Sequence, residues 1–224
     1  MNTLQTSQTD PTPPSDSRVT RVANGLVMGI ARHWLAIFNT LWGVYVFLPF
    51  LAPILMQMGM IDPARMIYAV YSLACHQLPD HSYFLFGELL TPSLEQLQAW
   101  GMDPGLGLLQ QRTFIGNAAA GYKVAICQRD VAIYGSVFLA GLLYGLFGRS
   151  QGPLSWKVYV LLLIPMAIDG TTQLFGLRES TWFLRSVTGG LFGVACVWFA
   201  YPHIDNAMRD VLAPPPPAPD VRSR

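Results

Sequence analysis

Charged residues are scarce in this chain of 224 residues: Asp, Glu, Lys and Arg together make up 12% of it, against roughly 25% in ordinary soluble domains. Neither sign prevails, because the net charge is +1 and the pI near 7.7. That excludes the basic footprint that nucleic acid requires, so no nucleic-acid partner is expected. Cysteine is equally sparse. Cys75, Cys127 and Cys196 are too few and too scattered for a secreted disulfide framework, and Cys196, inside an apolar run, reads as a small core side chain. The amino terminus lacks the short basic stretch, apolar core and small-residue cleavage site of a removable signal peptide, so the first apolar run is expected to stay as a signal anchor. No internal repeat is evident, which weighs against inverted-repeat transporter folds.

What the chain does have is apolar residues, 52% of the total, with a mean hydropathy of +0.35. They are concentrated in the middle, since residues up to about Ser17 and from Pro214 onward are polar and proline-rich. No charge occurs between His33 and Asp62, so residues 35–58 read as a first membrane helix with Pro49 and Pro53 near its end. Residues 64–78 form a second apolar helix of marginal length, which either spans or re-enters. Residues 131–147, 154–174 and 186–201 complete the set. The expected fold class is an all-α polytopic transmembrane helix bundle of about five spans, or four plus a re-entrant segment. Its domains are a disordered polar tail over 1–32, a membrane domain over 33–211 with a long polar connection at 79–129, and a proline-rich tail over 212–224. Within the connection, a short amphipathic helix runs from Thr91 and Pro92 to Gly101, with Leu94, Leu97 and Trp100 on one face. Gly141 and Gly145, like Gly189 and Gly193, have the spacing that lets helix backbones approach closely.

Counting crossings brings distant residues together. Cys75 and His76 open the long connection and Cys127, Arg129 and Asp130 close it; two further crossings return the chain to the same face at Asp169, Thr172 and Gln173, before Arg178, Glu179 and Arg185. An inside amino terminus puts the larger share of the 14 Lys and Arg on the inner side, so the expected location is a cell membrane, multi-pass, with the amino terminus cytoplasmic.

Asp169 is the costliest residue in an apolar helix, where a central carboxylate opposes insertion by roughly 2.5 to 3.5 kcal/mol. Gln173 lies one turn further on the same face, and Arg185 is the expected partner of Asp169, either as a structural ion pair or as part of a substrate or ion site. Cys75, His76, Cys127 and Asp130 offer thiolate, imidazole and carboxylate, the ligand types of zinc. A disulfide between Cys75 and Cys127, a reactive Cys127 thiol activated by Arg129 and a helix amino terminus, and two unrelated cysteines are the alternatives.

These residues resemble those of a family of prokaryotic membrane proteins, the domain-of-unknown-function family numbered twenty eighty-five. The resemblance rests on Cys75, His76, Gln77, Leu78 and Pro79 with Ser82, on residues 121–130 (GYKVAICQRD) leading to Ile133, Tyr134 and Gly135, on Pro165 through Asp169 to Gln173, and on Arg185, Thr188 and Gly189. It covers residues 67–201. It implies, in many members, a second cysteine where Asp130 stands here, giving a CxxC metal or redox pair; a carboxylate still ligates zinc and cannot form a disulfide, so the departure favours metal. The expectation is therefore a membrane protein with a zinc site at one face, built from Cys75, His76, Cys127 and Asp130, beside a deeper layer of Asp169, Gln173 and Arg185. It would act on a lipid or lipid-linked substrate, with membrane lipids as partners. A small-solute or ion carrier using Asp169 and Arg185, and a structural or assembly protein, are the other readings.

Overall fold

A computed structural model of the protein describes residues 18–148 and 151–214; the tail readings for residues 1–17 and 215–224 lie outside the described residues. The first helix, α1 (Arg18–Gln57), has 40 residues and is about 60 Å long, twice the roughly 30 Å of hydrocarbon in a bilayer. Residues 18–32, read as part of the polar tail, are thus helical.

Pro49 and Pro53 do not end α1, and the reason lies in the next helix. Pro49 has no N–H to give the carbonyl of Tyr45; the Tyr71 hydroxyl donates to that oxygen instead, at 3.0 Å. Tyr71 closes α2 (Ile61–Tyr71), which has only 11 residues and spans about 16 Å, too short to cross. Of the two readings of the second apolar segment, α2 fits the one in which it does not traverse.

The connection that follows is not structureless. A short 3₁₀ turn (Pro79–His81) leads into strand β1 (Ser82–Leu85), and α3 (Leu94–Ala99), α4 (Leu108–Gln111), β2 (Gly116–Asn117) and β3 (Gly121–Cys127) follow. The strands form an antiparallel sheet in the order β1-β3-β2. Central β3 is buried on both faces, with Val124, Ala125 and Ile126 wholly enclosed. Helix α3 starts three residues later than Thr91 and is fixed by a capping box the sequence reading did not name: Ser93 Oγ accepts from Gln96 N, and Gln96 Oε1 accepts from Ser93 N. Its Leu97 packs with Phe84, Met102 and Ala120 in a small core of its own.

Three long helices complete the molecule: α5 (Gln128–Phe147), α6 (Trp156–Leu174) and α7 (Trp182–Leu212). Among the described residues, α1, α5 and α7 are long and apolar enough to cross a membrane. Helix α6 has 19 residues, about 28 Å, and carries Lys157 and Asp169 within it. Glycine sets how closely the bundle packs: a Cβ at Gly193 of α7 would collide with Ser136 and the Ile133 carbonyl of α5, and one at Gly141 of α5 with Asn39 of α1. At the end of the bundle remote from the sheet, Trp34, Tyr144 and Tyr201 pack together and Trp34 Nε1 donates to Asp205.

Candidate functional site

Strand β3 passes straight into α5, so Cys127 is both the last strand residue and the N-cap of the helix, its Sγ accepting from Asp130 N at 3.5 Å. The first turn of α5 then swings Asp130 back over Cys127. Cys75, just beyond α2, meets them from the other side, its Sγ accepting from Cys127 N at 3.2 Å. The two sulfurs and a carboxylate oxygen of Asp130 all lie within 4.8 Å of one another, with both thiols buried and Asp130 half-buried. All three cysteines of the chain are free.

Two sequence readings change here. His76 does not join the group: its Nδ1 accepts from Leu78 N at 3.1 Å and its ring stands edge-on to His81, 5.5 Å away. It directly precedes Gln77, whose positive φ of 53° turns the chain. Nor is Cys127 an activated thiol, because its hydrogen bond with Cys75, together with burial and the nearby Asp130, raises its pKa. The helix-terminus and Arg129 effects expected to lower it are outweighed.

Lys123 supports this loop from below. It is 0% exposed, and Nζ donates to the carbonyls of Gln77 at 2.9 Å and Arg112 at 2.6 Å. Burial brings its pKa down to about 7. Gln77 in turn donates to Tyr68 O at 2.9 Å, which ties the loop to α2.

Asp169 is 1% exposed and fully engaged. Its Oδ2 accepts from Arg129 at 2.7 Å and lies 3.5 Å from Thr188 Oγ1, while its Oδ1 accepts from Arg178 at 2.8 Å and Ser180 at 2.7 Å. One carboxylate thus joins α5, α6, the α6–α7 loop and α7. Gln173 joins the same array, accepting from Arg129 at 2.9 Å. The expected Asp169–Arg185 pair is not formed: Arg185 donates instead to Gln128 Oε1 at 3.1 Å. Arg129 took its place because it stands on the first turn of α5, facing α6, whereas Arg185 points from α7 toward the connection. The partners Ser180 and Thr188 carry no charge pattern that sequence reasoning could have selected.

Beyond this array a cavity of mixed charged and apolar lining opens in two adjoining lobes of about 500 and 420 Å³ that share Asp80, His81, Leu94 and Glu179. Arg185 and Trp182 line one lobe and Arg129 and Gln173 the other. Burial, then Arg185 and Arg129, lowers the His81 pKa to about 4, so its imidazole is neutral at pH 7. Burial raises the Asp80 carboxyl.

Comparison with known proteins gives two likenesses. A family model described as "predicted membrane protein (DUF2085)" matches residues 109–199, a span that contains Cys127, Arg129, Asp169 and Arg185 and leaves Cys75 and His76 outside. The uncharacterized protein MJ1492 of Methanocaldococcus jannaschii is 34% identical over 139 residues, covering 61% of this chain and 67% of that protein. No solved structure matches the chain.

Proposed function

The chain belongs to the DUF2085 family of predicted membrane proteins, and from that premise we propose that it is a multi-pass membrane metalloprotein that holds zinc between Cys75, Cys127 and Asp130. In this reading the amino terminus is cytoplasmic and the metal lies where the sheet meets the helix bundle. One observation carries it: the Cys75 sulfur, from a loop some fifty residues earlier, converges with Cys127 and Asp130 at the start of α5 so that three ligand atoms lie within 4.8 Å of one another. Tetrahedral zinc, with bonds of about 2.0 to 2.3 Å, holds its ligands roughly 3.5 to 3.8 Å apart, so small side-chain rotations bring the set into range. Two sulfurs and one carboxylate suit zinc rather than magnesium or calcium, which take oxygen ligands.

A zinc ion held by Cys75, Cys127 and Asp130 would supply Lewis acidity at this site. The surrounding residues hold the frame: Lys123 fixes the Gln77 carbonyl and thereby the loop carrying Cys75, and the sheet fixes Cys127. Asp169 has no free lone pair directed at a ligand, which supports a positioning role for it and for Gln173 rather than use as a base or carrier group.

Elemental analysis of protein purified in mild detergent tests the reading. About one zinc per chain is expected in the wild type, with loss in Cys127→Ser and in Asp130→Ala. A folded wild type containing no stoichiometric metal overturns it.

A further inference from the structure

The cavity beside the Asp169 array has an unusual set of unmet groups. Arg185 is only 4% exposed, yet among the described residues it makes no ion pair, and its Nε has no hydrogen-bond partner. Arg129 Nε and Asp80 Oδ1 are likewise buried without partners. A buried guanidinium whose side-chain hydrogen bond goes only to a neutral amide is costly, and each orphan polar atom adds to that cost. Two guanidinium N–H groups and one carboxylate oxygen therefore lie without partners around the same space, although Arg129 as a whole is paired with Asp169.

The signs decide the class of ligand. Arg185 lines one lobe and Arg129 the other, while Asp80, Glu179 and a neutral His81 line both, the two carboxylates lying near enough to Arg185 to act on it. A purely anionic ligand would meet the arginines and face two carboxylates; an apolar one would satisfy none of the orphans. A ligand bearing an anionic group and an N–H cation matches both. The rim adds a third property. Leu174, at the end of α6, is 80% exposed, with Leu108 exposed in the same lobe and Trp182 exposed in the other; Leu174 and Trp182 belong to α6 and α7, and Trp favours the level of lipid head groups. The ligand is an amphiphile.

We infer that the cavity seats the head group of a phosphatidylethanolamine-type lipid, its phosphate toward Arg185 and Arg129 and its ammonium toward Asp80 and Glu179. The inference shares the membrane placement with the proposed function but does not depend on the metal.

Full-length protein in detergent, titrated with phosphatidylethanolamine, phosphatidylglycerol and phosphatidylcholine of identical acyl chains and followed by native mass spectrometry, tests it. Phosphatidylethanolamine should be retained about tenfold more tightly than either of the others, the scale of one charge-assisted contact. Arg185→Gln should abolish retention. Because that variant removes a buried side chain, Glu179→Gln is the safer companion: Glu179 is 87% exposed, so folding survives, and the preference over phosphatidylglycerol should fall severalfold. Equal retention of the three lipids overturns the inference, as does an unchanged preference in Glu179→Gln. Soluble phosphoethanolamine binding as tightly as the lipid overturns its amphiphile part. Running the same titration on Cys127→Ser separates the two readings, since lipid preference should persist there even when the metal is lost.

Discussion

At the scale of single residues, Asp169 is the point on which the helix bundle is tied. Its two oxygens pair with Arg129 and Arg178 at once, so replacing it removes the one carboxylate both guanidinium groups share. Asp169→Asn should lower stability by about 3 to 5 kcal/mol, read as a fall in melting temperature in detergent, whereas Gln173→Ala should have a smaller effect. An acid in an apolar helix announces itself in sequence. Its partner does not, because Arg129 and Arg185 are equally arginine and only the direction each takes from its helix separates them. His81 yields a second test. Its folded pKa of about 4 lies below the ordinary 6.5, so the unfolded chain binds the extra proton first as pH falls. Stability contributed by neutral His81 is complete above pH 6.5 and is lost progressively down to pH 4, by up to about 3 kcal/mol. Melting curves across this window should show a shallower loss in His81→Gln than in the wild type.

At the scale of elements, the α1–α2 contact exists because a proline withholds an N–H and a tyrosine replaces it. Tyr71→Phe strands the Tyr45 carbonyl and should cost about 1 to 2 kcal/mol, visible as easier proteolysis after α2 or a lower melting temperature. The prolines and the apolar run were plain in the sequence; that the run breaks off at Tyr71 was not, because nothing between residues 72 and 78 signals a stop as strongly as Pro79 does. Strand β3 was missed for a different reason. Lys123 sits in the middle of an otherwise apolar stretch and made it read as part of a polar connection, when in the fold that lysine is enclosed and satisfied by two carbonyls. The short helix at α3 was legible down to its apolar face, since the proline before it and the helical spacing of Leu94, Leu97 and Trp100 are both local.

At the scale of the whole molecule, the counting of crossings depended only on α5 leaving and α6 returning, and so was indifferent to the fate of the second apolar segment. Arg129 at the start of α5 does meet Asp169 near the end of α6. Single-cysteine variants carrying a label at positions 103 and 178, probed with a membrane-impermeant reagent in intact cells, should therefore react from the same side of the membrane. What could not be read from the chain was the cavity, because it is bounded by a loop, a 3₁₀ turn and two helix ends whose relative placement is set by the sheet. A second molecular test follows from the ligand set: Asp130→Cys exchanges an oxygen ligand for a sulfur, and zinc retention against a chelator should rise by about tenfold or more.

The direct passage of β3 into α5 has a geometric consequence. No residue lies between them, so the sheet's ladder and the first turn of the helix together set where the Cys127 sulfur stands. An insertion at this junction would shift Cys127 against Cys75 while leaving either element's own hydrogen bonds intact.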